Sequence, residues 1–259
     1  MFFYYLRGLV NTTLASALAR LAGLHFQRIQ FTNDMLASDV IGINIFNQKE
    51  HLFEFKKGPI FTQILLADEI NRCSPKTQSA LLEAMEEGAV TVDGTHYELP
   101  QPFWVLATQN PLFQSGTYAL PESQLDRFLM RLSLGYPSRQ AEKLLLQQSS
   151  RQVLIHQLEA VFTQVDILQL RELAKQVFLS DAVLNYILDL AAETRKQRHG
   201  LSTRGVLALK AAAQAYALVE GRSFVTTDDV QTVFVAVVAH RLSLGEIEVK
   251  QILQSVDVL

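Results

Sequence analysis

Two short apolar runs constrain the fold more than anything else in the chain. Residues 64–69 read ILLADE and residues 103–108 read FWVLAT, and each is a hydrophobic stretch that stops at polar residues. A strand that is apolar at nearly every position, not at alternate ones, has both faces covered, as in the middle of a parallel sheet. The segment between them carries the marks of a helix. Ser74 can cap it, Pro75 fits its first turn, Leu81, Leu82, Ala84 and Met85 form an apolar face, and Gly88 ends it. The run AVTVDGTHYEL then predicts a hairpin turning at Asp93-Gly94. Earlier come a strand-like FFYYL at 2–6, a helix over 12–22 followed by Gly23, and an alternating strand HFQRIQF at 25–31. Strands separated by helices imply an α/β fold with a parallel sheet covered on both faces.

The character changes after Pro137. Segments such as ILQLRELAKQVF, DAVLNYILDLAAETRKQ, TRGVLALKAAAQAYALVEG and TTDDVQTVFVAVVAHRL all carry helical periodicity, with Ser180 or Asp181 as a cap and Gly221 as a stop. The expected organisation is an α/β domain at 1–137 and an all-helical domain at 138–259, with the boundary near GYPS at 135–138. A chain of 259 residues is long enough for one medium and one small domain. Its 49% hydrophobic and 19% charged content is that of a core-forming protein and excludes a disordered chain. A net charge of -3 with no basic cluster argues against nucleic-acid binding. The one cysteine, Cys73, cannot form an intramolecular disulfide, and there is no C-x-x-C or H-E-x-x-H to suggest zinc. A reducing, cytoplasmic compartment is expected. No uncharged run is long enough to span a bilayer, and the apolar start is too short for a signal-peptide core.

Several residues could carry chemistry. Asp68 and Glu69 end the first apolar run, where a parallel sheet presents its ligand crevice. Adjacent acids there can divide labour, one holding Mg²⁺ and the other orienting an attacking water. Asn110 ends the second run and would stand beside Glu69 if the two strands are neighbours. Arg127 and Arg131 lie four apart, so a helix would put them on one face. Arg204, in GLSTRG, opens a helix of the second half. Each has a plainer reading: solvated charges, a turn-forming Asn before Pro111, arginines paired with Asp126 or Glu122, and a surface arginine. Finally, RGLVNTTLASALA at 7–19 has the outline of a phosphate-binding loop running into a helix, but its Gly-Lys step reads Val10-Asn11.

The ordered set LADEIN, SPKTQSALLEAMEE, VTVDG, ATQNP and GTYALPESQLDRFLMRL closely resembles the MoxR family of AAA+ ATPases. The resemblance implies an AAA+ αβα parallel-sheet sandwich followed by a smaller all-α lid. It implies ATP and Mg²⁺ as cofactors, with Gly8, Asn11, Thr12, Thr13, Asp68 and Arg204 around the nucleotide and Thr12 and Asp68 on the metal. Asp68 and Glu69 look like the Walker B pair, Glu69 as base. Asn110 looks like sensor 1, Arg127 like an arginine finger with Arg131 second, and Arg204 like sensor 2. The hairpin at Asp93-Gly94 is similar to a family insertion near the ring face. The family's partners follow: a homo-oligomeric ring, a hexamer with Arg127 supplied in trans, acting chaperone-like on protein complexes, often von Willebrand factor A-domain proteins.

The loop departs from the family. Gly8 matches a loop glycine, Val10 the second glycine and Asn11 the lysine. Family members usually carry a few dozen residues before this loop, and this chain starts almost at it. Val10 is β-branched and ill suited to the backbone that wraps phosphate, and Asn11 offers a hydrogen bond but no charge. A hydrogen bond to a charged group is worth roughly 1.5–3 kcal/mol, or about ten- to a hundredfold or more in affinity. Three functions follow as expectations: a weakened Mg²⁺-ATPase, a non-hydrolysing structural ring subunit, and, third, a DNA-handling AAA+ protein.

Overall fold

The computed structural model describes residues 2–4, 10–109, 116–133, 138–147, 155, 157–196 and 200–258, without the side chains of 2–4, 10, 11, 145 and 147. The described chain divides into two compact units. One comprises Met1–Leu120 with Ser133–Gln164, and the other Pro121–Leu132 with Val165–Leu259. The boundary region expected from sequence, 135–138, falls almost wholly outside the described residues.

The first unit is built on a parallel sheet. Its strands are β1 (Phe2–Tyr4), β2 (Phe26–Gln30), β5 (Ile64–Asp68) and β8 (Trp104–Gln109), in the order β2-β5-β8-β1. Ile64, Leu65, Leu66 and Ala67 of β5 are all fully buried, as an uninterrupted apolar strand requires. Helix α1 (Val10–Leu21) packs on β5 and β2 with Ala15 and Ala19 buried. Helix α3 (Pro75–Glu87) starts where Ser74 Oγ accepts from Thr77 N at 3.3 Å, and it buries Leu81, Leu82 and Ala84. Cys73 is buried just before it, and burial pushes its thiol up to about 12, so it is not a thiolate at neutral pH.

Two hairpins extend this unit. β6 (Ala89–Val92) and β7 (Thr95–Glu98) turn at Asp93-Gly94, both at positive φ, the conformation a tight hairpin turn demands. Between β2 and β5 lie a short α2 (Ala37–Ile41) and the antiparallel pair β3 (Gly42–Asn47) and β4 (Leu52–Lys57). At the base of that pair Gly58 is pressed against the chain: a Cβ there would lie 2.3 Å from Val40 O. Helix α5 (Arg139–Gln147) also belongs to this unit.

The second unit is helical. It holds α4 (Glu122–Leu125), a two-residue strand β9 (Arg131–Leu132), α6 (Gln164–Gln176, from its second residue), α7 (Asp181–Thr194), α8 (Thr203–Val219), α9 (Thr227–Leu242) and α10 (Glu246–Gln254). Ser180, Ser202 and Thr226 cap α7, α8 and α9 by accepting from backbone N–H groups. Helix α9 packs against α7, α8, α10 and α4 and buries Val230, Phe234, Val237 and Val238. A helix apolar on all sides belongs at the centre of its bundle. At its start Asp229 accepts from Arg222, Thr226 Oγ1 and Thr226 N, and the Arg222 hydrogen bond, above all, holds its carboxyl below the usual range.

One expectation fails. Arg127 and Arg131 do not share a helical face, because α4 ends at Leu125, Arg127 lies in the following turn and Arg131 in β9. The carbonyls of Asp126, Phe128 and Leu129 accept from the Arg241 guanidinium, so they are not committed to a helical ladder.

Candidate nucleotide site

Strand register gathers the candidate residues of the first unit at one end of the sheet. β5 and β8 are parallel neighbours with Ala67 opposite Ala107, so Asp68 and Glu69 emerge beside Thr108 and Gln109. β1 runs parallel on the other side of β8, with Tyr4 opposite Gln109. β1 ends at Tyr4, at the same end of the sheet as the acids, and α1 begins at Val10. Gly8 and Asn110 lie outside the described residues, as does the Asn11 side chain. Thr12 and Thr13 stand half-buried in the first turn of α1, where helix N–H groups lack intrahelical acceptors and favour anions.

The acids are held firmly. Thr108 Oγ1 donates to Asp68 Oδ1 and accepts from Glu69 N at 2.9 Å, so one hydroxyl fixes both residues. Glu69 has φ 56° and ψ 46°, a left-handed conformation that costs a non-glycine residue about 1–3 kcal/mol and persists only where its surroundings enforce it. Thr108 and the 3-10 turn Ile70–Arg72 supply that enforcement. Both carboxylates also meet arginines. Arg28 Nη2 lies 2.7 Å from Asp68 Oδ2 and its Nε 3.2 Å away. Arg72 Nε lies 2.7 Å from Glu69 Oε2.

Thr108, Arg28 and Arg72 are functional candidates that the motifs did not single out. Thr108 is a hydroxyl buried in an apolar strand, which is a signal in itself, since a buried polar group must find partners. Arg28 meets Asp68 only through the pairing of β2 with β5, which sets Gln30 opposite Asp68.

The remaining candidates are in the second unit. Arg127 and Arg131 are half-buried, and Arg204 is exposed in the first turn of α8. His240 and Arg241, at the end of α9, lie beneath the segment that carries Arg127 and Arg131. His240 Nε2 is 3.0 Å from Phe128 O, while its Nδ1 is buried without a partner. Burial, reinforced by the positive charges of Arg241 and Arg131, pulls the imidazole down to about 3.

The oxygen donors suit a hard divalent cation. The Asp68 carboxylate has roughly four lone-pair positions, and Thr108 and Arg28 account for three donors, so an oxygen of Asp68 retains capacity for a cation or its water. A helix start and a pair of acids at the carboxyl end of parallel strands put these residues where an α/β sheet presents its ligand crevice, and an α/β protein with its site there is the class this arrangement defines.

Comparison with known proteins narrows the class. Residues 2–130 match the model of the ATPase family associated with various cellular activities (AAA), and residues 190–257 that of the AAA lid domain. The chain is 48% identical over 240 residues to the uncharacterized protein YeaC of Bacillus subtilis, covering 92% of this chain and 75% of that one. It is 38% identical over 271 residues to Chaperone MoxR1 of Mycobacterium tuberculosis, covering 96% and 71%. The crystal structure of a candidate ATPase from Cytophaga hutchinsonii superposes with a TM-score of 0.90 at 36% identity, covering 100% of this chain and 85% of that one. This chain belongs to the MoxR family of AAA+ ATPases, with the α/β sandwich and helical lid of that fold.

Proposed function

We propose that the chain binds ATP with Mg²⁺ and hydrolyses it slowly, as a subunit of a cytoplasmic hexameric ring that remodels or matures partner protein complexes. Von Willebrand factor A-domain proteins are the partner class. The observation that carries the reading is the rigid pairing of Asp68 and Glu69 through Thr108, at the sheet end where the loop into α1 begins. A site without use would gain nothing from a left-handed Glu69. Membership of an ATPase family and the 38% identity to a protein named as a chaperone support it.

Each residue has a stated task. Thr12 and Asp68 would hold Mg²⁺, which when bound draws charge from the phosphates. Thr13 and the first N–H groups of α1 meet phosphate oxygens, with Gly8 and Asn11 in the preceding loop. Glu69 takes a proton from the attacking water, and Asn110 holds that water. Arg127, with Arg131 behind it, completes the site of a neighbouring subunit, and Arg204 offers a cation to phosphate. An arginine finger is worth roughly 10³–10⁵ in rate in related reactions.

A second reading has its own support: Arg28 sits on Asp68 and Arg72 on Glu69. Together with Val10-Asn11 these pairs favour a subunit that binds nucleotide without hydrolysing it. Restoring Val10→Gly with Asn11→Lys separates the two. Hydrolysis rises about ten- to a hundredfold under the first reading, and Glu69→Gln in the restored chain abolishes the gain. Turnover that stays at background after the double substitution leaves the structural subunit standing.

A further inference from the structure

Arg241 makes a dense set of side-chain bonds in the helical unit, and no catalytic assignment touches it. Its side chain is 3% exposed at the end of α9. Nε donates to Asp126 Oδ1 at 2.9 Å. Nη1 donates to Leu129 O at 3.0 Å and to Val237 O. Nη2 donates to Phe128 O at 2.6 Å and to Asp126 O at 3.3 Å. An arginine has five N–H donors, and these five bonds to oxygen use the whole fork, with His240 Nε2 a further neighbour of Nη1 at 3.1 Å. Four of the five run to the segment Asp126–Leu129, which leads from Arg127 to Arg131.

Asp126 carries the connection further. Its second oxygen, Oδ2, accepts from Ser202 Oγ at 2.9 Å. Ser202 is the N-cap of α8, and its Oγ also accepts from Gly205 N at 3.0 Å. Arg204 is therefore in the helical turn whose start is tied to Asp126. A separate observation puts the same helix start against Arg241: a Cβ on Gly205 would lie 3.1 Å from Arg241 Cδ and 2.4 Å from Leu201 Cδ1. Burial above all presses the Arg241 guanidinium below its usual range, against the pull of Asp126, and the Arg204 charge adds a smaller push in the same direction.

We propose that Arg241 and Asp126 are positioning residues, a clamp that locks the Arg127 segment and the Arg204 helix start into one rigid piece. The idea rests on the reading that these two arginines serve nucleotide, but the clamp is a claim about this unit alone. A buried ion pair is an expensive way to gain stability, since well-packed apolar residues often do as well or better. Here the guanidinium fixes backbone that has left the helical ladder, and so fixes where Arg127 points. Holding reactive groups in one geometry is worth a large share of a barrier.

Two measurements on the full chain decide it. Without nucleotide, amide hydrogen exchange is followed in 126–132 and 203–208 for the parent and for Asp126→Asn, which keeps one acceptor oxygen and so a folded unit. The clamp predicts faster exchange in both segments together. Loosening of 126–132 alone, or of neither, overturns it. With a fluorescent ATP analogue and Mg²⁺, Asp126→Asn, Arg204→Ala and the double variant are compared. Each single change weakens binding about tenfold. Under the clamp the double variant binds better than the product of the two single losses, because part of the Asp126 effect runs through Arg204, whereas losses that multiply in full make Asp126 merely structural and sink the proposal. A parent chain that binds no nucleotide defeats the ATPase reading, and the exchange result still decides the clamp.

Discussion

His240 makes the stability of the helical unit depend on pH in a way that one substitution removes. Its imidazole is 2% exposed, its Nδ1 has no partner, and the neighbouring Arg241 and Arg131 charges oppose protonation. The folded pKa is about 3. In an unfolded chain a histidine titrates near ~6.5. The folded value is therefore depressed, so the stabilisation is complete above the unfolded pKa. It declines as pH falls toward 3, because only the unfolded chain takes up the proton. The slope approaches about 1.4 kcal/mol per pH unit for one proton, which puts the loss between pH ~7.5 and ~5 at about 2 kcal/mol. His240→Gln keeps a polar amide that can face Phe128 O and Arg241, and it cannot titrate. Urea unfolding followed by circular dichroism at several pH values gives the comparison, and all other titrations cancel in the difference. The wild type loses about 2 kcal/mol more than the variant over that range. Parallel pH profiles for the two proteins refute the argument.

Two further substitutions probe the site and the core. Thr108→Val keeps the strand's shape but strands Glu69 N and an Asp68 oxygen. It destabilises the first unit by about 1–3 kcal/mol in urea unfolding and weakens nucleotide binding with it; a loss under ~0.5 kcal/mol shows that Thr108 does not hold the acids. Phe234→Ala empties a fully buried position at the centre of the helical unit. The expected cost is about 3–5 kcal/mol, read from the unfolding of that unit, and a loss near zero means α9 is not its core.

Where local rules decide structure, the sequence was legible. Ser74 and Pro75 open α3, Asp93-Gly94 turns the hairpin, and the acids end β5, as short-range chemistry requires. What was not legible depends on partners far along the chain. Arg127 and Arg131 have helical spacing, but Arg241, 112 or more positions away, takes the carbonyls of their segment. Arg241 itself reads as an ordinary basic residue at a helix end, favourable to the helix dipole. Arg28 reads as a polar residue on an alternating strand until strand pairing brings it to Asp68. That the segment Pro121–Leu132 packs with the helices is likewise a tertiary fact.

Nucleotide binding by the unaltered chain tests the central claim most directly. A fluorescent ATP analogue is titrated with Mg²⁺ and again with a chelator, on the parent chain and on Asp68→Ala. The account predicts saturable binding in the micromolar range, lost without Mg²⁺ and weakened at least about tenfold by the substitution. Absence of binding at millimolar nucleotide contradicts it.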